Sequence, residues 1–497
     1  MALNGVGMRT SYLAYPLLNM KTQLDELNQQ LATGKRGDSY AGQGADRGLA
    51  VGLRAQLSLF DAFASTATNV NTRLDLANLS LQGLSDISDQ IKAAAHNADL
   101  TVNAHGQTMG QVNARGAFED ALALLNTQSG GRYLFSGRAT DTPATAAADL
   151  ILNGDGVRAG LVQVIDERRQ ADVGDGLGRL AVSAPTTSSV ALGEDAAGSP
   201  FGLKLNGAVS RLSGATVTGP AGVPPELTVD FSAATLAEGD DIALSFKLPD
   251  GSIETVTLTA TTADPAPAGS FTIGADADAT AANFQAALTG AVDKLAHTSL
   301  VAASAVAAGD DFFKSDPPQR VAGPPFDSAT AQIAGTPADT VAWYTGEKGA
   351  DLARGTAIAR VDQSITVAYG ARADEDAIRL QIQTFAVYAA VTAPASDANS
   401  RGQLAALNQR IGDALAPKTG AQTLQTMQAD FAGAQLAIKA SSERQGQAKV
   451  MTQSMLDSIE GVSLEEVTTK ILALQTSLTA SYQTTAMLYR NSLVNYL

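Results

Sequence analysis

The chain contains no cysteine. Disulfides, thiolate metal sites and cysteine nucleophiles are therefore excluded together. That absence is unusual in a cytosolic chain of this length. It suits a chain that leaves the cell unfolded and must avoid thiol chemistry. Only three histidines occur, His96, His105 and His297. No two share the i, i+3 or i+4 spacing that would put a ligand pair on one helix face, so they read as exposed polar residues. There is one Trp, and aromatics make up 5% of the chain; helix contacts near the ends must be aliphatic or between small residues. Basic residues are also scarce, 34 against 50 acidic ones, for a net charge of −16. Phosphate binding needs a basic surface, so nucleic acid is excluded as a partner. No apolar run is long enough for a membrane span, so no membrane insertion is expected. The opening Met1-Ala-Leu-Asn-Gly-Val-Gly7 lacks the charged and apolar regions of a secretory signal, which points to export without a cleaved peptide.

Motifs that carry chemistry are missing too. There is no H-E-x-x-H and no glycine-lysine phosphate loop. Gly174-Asp-Gly-Leu-Gly178 does not have the dinucleotide spacing and reads as a loop. Asp276-Ala-Asp278 and Asp310-Asp311 lack the twelve-residue calcium loop and read as solvated turn or cap carboxylates. No G-x-S-x-G marks a nucleophile. The expectation is a non-enzymatic protein with no catalytic residue, cofactor or metal.

What the chain does have is a stripe at each end. Ser463-Leu-Glu-Glu466 has the form of a capping box. Leu464, Val467, Ile471, Leu474 and Leu478 then follow at steps of three and four, and the stripe runs on less regularly through Leu493 to Leu497. At the other end Leu13, Leu17, Met20, Leu24, Leu27 and Leu31 repeat that spacing. Matched heptads at opposite ends predict a coiled coil closed by the termini. The same stripes also fit the core of an ordinary helical bundle.

Between the ends the periodicity changes. Helices are expected over about 10–33, 48–100 and up to 127, with Gly34 to Gly48 a glycine-rich break and Pro16 tolerated only near a helix start. Residues 1–140 are read as the N-terminal half of a helical rod. A β-rich insert follows over 141–224, and a small α+β insert domain over 225–313. Within the latter, Ile242, Leu244, Phe246 and Leu248 alternate before the Asp250-Gly251 turn, a hairpin signal. Thr280 to Ala296 reads as a helix and Thr298 to Val306 as a returning strand. Residues 314–370 are read as a Pro-rich linker and β-hairpin, with strands at Val341–Tyr344 and Ser364–Ala368. Residues 371–497 complete the helical rod. The fold class is α+β multidomain: N- and C-terminal helices paired in an α-helical coiled-coil rod, with a central mainly-β or α+β insert.

Several of these residues resemble the flagellin superfamily. Leu31-Ala-Thr-Gly-Lys-Arg36 is similar to the end of that family's first helix. Gly131-Arg-Tyr-Leu-Phe-Ser-Gly137 and the ending Ser492-Leu-Val-Asn-Tyr-Leu497 resemble its hook-filament junction branch, the hook-associated protein 3 family. Residues 37–46 lack the isoleucine and paired-aspartate run of filament flagellins, and 84–93 lack the arginines of enterobacterial flagellins. The resemblance covers roughly 1–140 and 341–497. It implies export through the flagellar type III apparatus with an export chaperone, and an extracellular place in the bacterial flagellum. It also implies partners in hook-associated protein 1, flagellin and further copies of the chain. On that reading Leu17, Leu24, Leu27, Leu31, Leu464, Val467, Ile471, Leu474, Leu478, Leu493 and Leu497 are the assembly residues. The alternatives are a filament-forming flagellin, an enzyme displayed on a flagellum and a cytosolic coiled-coil signalling protein.

Overall fold

The computed structural model describes residues 5–37, 44–96 and 99–494. The protein is α+β, with helices at both ends and several small sheets between them. The first three helices are α1 (Gly5–Thr33), α2 (Arg47–Ala95) and α3 (Met109–Leu125). Pro16 lies well inside α1 rather than at its start. A two-rung ladder of β1 (Gln128–Ser129) and β2 (Arg132–Tyr133) follows, then α4 (Ala148–Asn153) and α5 (Leu161–Val173). Next come β3 (Leu180–Thr186), β4 (Ser189–Glu194), β5 (Lys204–Ser210), β6 (Thr216–Ala221), β7 (Glu226–Asp230), β8 (Asp241–Lys247), β9 (Ile253–Thr261) and β10 (Ser270–Thr272). The chain continues through α6 (Ala277–Leu295), α7 (Val301–Phe313), β11 (Gln319–Val321), β12 (Gln332–Ala334), β13 (Ile358–Arg360) and β14 (Thr366–Ala368). It ends with α8 (Asp376–Ala390), α9 (Ser400–Ala414), α10 (Leu424–Glu460) and α11 (Leu464–Val494).

The chain divides into two units. One comprises Met1–Asn71, Ala359–Val367 and Gln435–Leu497; the other comprises Thr72–Ile358 and Ala368–Ala434. In the larger unit, β3-β4-β7-β6 form one four-stranded sheet and β10-β9-β8-β5 a second. All pairings are antiparallel except β10 with β9. The β8–β9 hairpin turns through Gly251, as the alternation predicts. Ile242, Leu244 and Phe246 are buried on one face of β8, and their neighbours on the other face are not. α6 packs on strands of both sheets. Its Asp276 carboxylate accepts from the Ala279 amide as an N-cap. One apolar core joins Leu192, Val229, Leu244, Leu258, Phe271 and Phe284. At its centre the rings of Phe231, Phe271 and Phe284 meet edge to face or tilted, with centroids 5.2–6.2 Å apart.

Four further expectations differ from what is found. The expected boundary at 224/225 falls between β6 and β7, which pair with each other, while β5 pairs with β8. Strands on both sides of that point therefore share one core. Thr298 to Val306 is not a strand. A single π turn at Ala296–Leu300 leads directly into α7. Ala302, Ala303, Ala305, Ala307 and Ala308 are all buried, and a helix buried all round shows no period that separates it from a buried strand. The Pro-rich stretch after residue 313 is packed rather than loose: β11 pairs with β12, Val321 is buried with Phe201 and Ala171, and Arg320 is ion-paired with buried Glu167. Val341–Tyr344 makes no pair with Ser364–Ala368; Tyr344 instead bridges Thr145, and Trp343 donates its indole N–H to the Phe313 carbonyl at 2.9 Å.

Buried charge links distant segments of the larger unit. The Arg168 guanidinium donates to Asp172 and to Asp311, each at 2.8 Å, and to the Pro200 carbonyl at 3.2 Å. Ser304 and the Gly202 amide complete the Asp172 carboxylate. Asp311 is thus an ion-pair partner rather than a solvated turn residue. Burial pushes the Asp172 and Asp311 carboxyls up, and Arg168 opposes this. Arg410 on α9 grips the tip of the β8–β9 hairpin, reaching Asp250 at 2.7 Å and Glu254 and Ser252 at 3.2 Å.

Replacing Phe284 by Ala removes the shared ring from a fully buried triad. It is expected to destabilise the larger unit by about 3–5 kcal/mol, read as a lower denaturant midpoint. An unchanged midpoint would show that the two sheets do not share this core.

Candidate assembly surface

In the smaller unit α1 and α11 lie in contact. The terminal stripe of α11 is buried over its middle: Val467, Ile471 and Leu478 are 3%, 7% and 8% exposed, and Leu474 is half-buried. Leu464, at its start, is 51% exposed. On α1, Leu17, Leu24 and Leu27 are half-buried, as is Met20. Leu31 is largely exposed, and Gln30 takes the inward position. The physical reason is local: the Gln30 amide closes the helix end by donating to the Arg36 carbonyl at 2.9 Å. Leu493 lies on α11, but its side chain is outside the described residues, as is all of Leu497.

Both helices stop beside each other. α1 ends at Gly34, whose φ of +69° is the left-handed C-cap conformation that a Cβ disfavours. α10 ends at Glu460, and Gly461 turns the chain toward α11. The two breaks pair as antiparallel backbone. The Arg36 amide donates to the Glu460 carbonyl at 2.8 Å, and the Val462 amide to the Gly34 carbonyl at 3.1 Å. Arg36 Nε adds a bond to the Gly461 carbonyl at 3.2 Å. Glu460 is 7% exposed and pairs with Arg54 at 2.7 Å. Beneath this clip, Ala50, Leu53 and Leu456 form a small core with Leu57 and Ile459.

Ser463 Oγ accepts from the Glu466 amide at 3.3 Å, one arm of the expected capping box. The Glu466 carboxylate turns to Lys470 at 2.7 Å instead of returning to Ser463. This Lys470 contact holds the Glu466 carboxyl below its usual range.

The sequence reading missed the residues that stitch this unit internally. Ser441 Oγ and Gln445 Nε2 both donate to the Val361 carbonyl, at 3.1 and 2.6 Å, from buried positions on α10. Polar residues in a helical pattern read as a solvated face; no signal in the sequence marks these two as buried.

Apolar surface remains uncovered on this unit. Tyr15, Leu18, Leu472, Tyr482 and Met487 are each 59–74% exposed along α1 and α11. Val450 and Met451 on α10 are 72% and 67% exposed. More than half of the large hydrophobics exposed among the described residues fall in the smaller unit. Exposure of large apolar side chains is thus denser in the smaller unit than in the larger one.

The Gly131–Gly137 stretch lies in the larger unit. Phe135 is fully buried, and its carbonyl accepts from the Ala373 amide at 2.8 Å. The Gly137 amide donates to Ala371 at 3.2 Å. Gly137 has φ +64°, and a Cβ there would stand 2.6 Å from Glu347 Oε2. That carboxylate also holds the Arg138 amide and guanidinium. The stretch is a structural joint between chain segments more than 230 residues apart in sequence.

No group of histidine and acidic residues suited to a metal occurs among the described residues, and no described helix is long and apolar enough to cross a membrane. No family model matches the chain, and no curated protein matches it.

The depressed Glu466 carboxyl gives a pH prediction. Because its folded-state pKa lies below the unfolded value, its contribution is present above the ordinary glutamate range and is lost as pH falls through the folded pKa. Amide exchange in the first turn of α11 should therefore rise on acidification below the ordinary glutamate range. Lys470→Ala should remove that pH dependence; an acid response unchanged in the variant would rule this pair out as its source.

Proposed function

We propose that the chain is a structural subunit of the bacterial flagellum that joins the hook, through hook-associated protein 1, to the flagellin filament. Its terminal helices act as a paired coiled-coil rod in the assembled state. The observation that carries the reading is the meeting of α1 and α11, from opposite ends of the chain, with apolar side chains left over on their outer faces. Burying a side chain such as Leu472 or Tyr482 against a neighbour is worth roughly 1.5–3 kcal/mol. Many copies in a ring or helix would cover these faces on each other, on hook-associated protein 1 and on flagellin. The likeness of Gly131–Gly137 to the junction branch supports the same reading. An acidic, cysteine-free chain fits passage unfolded, with an export chaperone, to an extracellular site.

Deleting the gene and examining cells by electron microscopy tests this. The expected result is intact hooks without filaments and flagellin shed into the medium. Hooks that still carry filaments would overturn the junction role, and filaments lost together with all flagellin antigen would point to the filament subunit itself.

A second test separates the terminal stripe from the fold of the larger unit. Ile471→Asp with Leu478→Asp places two charges in the buried stripe, where an unpaired carboxylate is strongly disfavoured. The variant should be exported and keep the larger unit folded, as judged by its Trp343 emission, yet fail to support filaments. Normal filaments from this variant would remove α11 from the assembly surface.

A further inference from the structure

The larger unit holds a cavity of about 380 Å³ whose walls come from the end of α7, the segment around residues 342–350 and the start of α8. Its size falls in the range of roughly 300–1,000 Å³ typical of small-molecule sites. One wall is aromatic. Phe313 and Trp343 stand with centroids 5.3 Å apart, and Trp343 in turn meets Tyr344 at 5.8 Å. The indole N–H is already spent on the Phe313 carbonyl.

The other wall is basic. Four of the twelve lining residues are Lys or Arg, namely Lys314, Lys348, Arg372 and Arg379, against 34 such residues in the 497 of this acidic chain. The two acidic lining residues are each answered: Asp316 by Lys348 at 2.7 Å, and Asp374 by Arg372. Arg379 has only the exposed Asp376, outside the cavity wall, as a partner. The Lys314 ammonium is exposed and has no ion pair among the described residues. The lining thus carries two cations beyond those its own carboxylates neutralise. Tyr344, also in the lining, is buried.

We propose that this cavity binds a small organic anion, a carboxylate carried on an apolar ring-sized body, with Lys314 and Arg379 on the carboxylate and the Phe313–Trp343 wall against the ring. The site stands independently of the assembly reading, since it is built from the larger unit alone. Trp343 is the only tryptophan in the chain, so its emission reports the cavity directly.

The full chain is titrated with sodium benzoate while Trp343 emission is followed. A saturable change with a midpoint on the order of 1 mM is expected. Benzyl alcohol, the same ring without the charge, should give no saturable change over that range. Lys314→Ala with Arg379→Ala should weaken benzoate binding at least about 10-fold while leaving the emission of the free protein unchanged. Lys314→Glu alone, at an exposed position, should weaken it in the same direction. An absent or unsaturable benzoate response, an equal response to benzyl alcohol, or unweakened binding in the Lys314→Glu protein would each overturn the assignment.

Discussion

The smaller unit depends on one contact of very high sequence separation: residues 34–36 pair with residues 460–462, and Arg36 meets a carbonyl 425 positions away. Closing a loop that long costs more entropy than closing a short one, though only as the logarithm of its length. Two backbone hydrogen bonds offset little of that by themselves, since each nets about 0.5–1.5 kcal/mol. The clip therefore relies on what lies on either side of it. Below it are Ala50, Leu53 and Leu456 and the Arg54–Glu460 pair; above it is the buried middle of the α11 stripe. Glycine at 34 and 461 lets both helices stop at the same level, so that the breaks face each other as extended backbone.

The larger unit meets the same problem with different chemistry. Its chain leaves the helices, builds two sheets and returns, and the crossings are held by arginines. Arg168 joins α5 to α7, Arg410 joins α9 to a hairpin tip, and Arg372 holds Asp374 and the Gly349 and Asp351 carbonyls. A guanidinium can hold several acceptors in fixed directions. Pairs buried to this degree add little net stability over apolar residues of equal volume, but breaking one leaves an uncompensated charge. They define which segments meet more than they hold the unit together. The Phe231–Phe271–Phe284 cluster supplies the apolar complement.

For function, the contrast between the units is informative. The larger unit buries most of its big side chains, though Val157, Val223 and Leu352 are exposed. The smaller one leaves Tyr15, Leu18, Leu472 and Tyr482 in water, a cost that assembly with neighbours would recover.

By itself the sequence determined the terminal helices and the β8–β9 hairpin, but not α7, which it read as a strand. A stripe at steps of three and four defines the helix face of α11, and alternation over Ile242–Leu248 defines β8, because side-chain period follows directly from backbone geometry. It also determined which residues are candidates for burial, since Val467, Ile471 and Leu478 are apolar at that spacing. Only the tertiary structure decided which stripe residues are covered. Leu464 and Leu31 obey the period as well as Ile471 does, yet they are exposed. It alone decided that 141–224 and 225–313 share two sheets, because strand partners are chosen by long-range packing that local pattern does not encode. It also decided the roles of Arg36, Glu460, Arg168 and Arg410. A charged residue in a sequence reads as solvated, and whether it is buried depends on acceptors brought to it from hundreds of residues away.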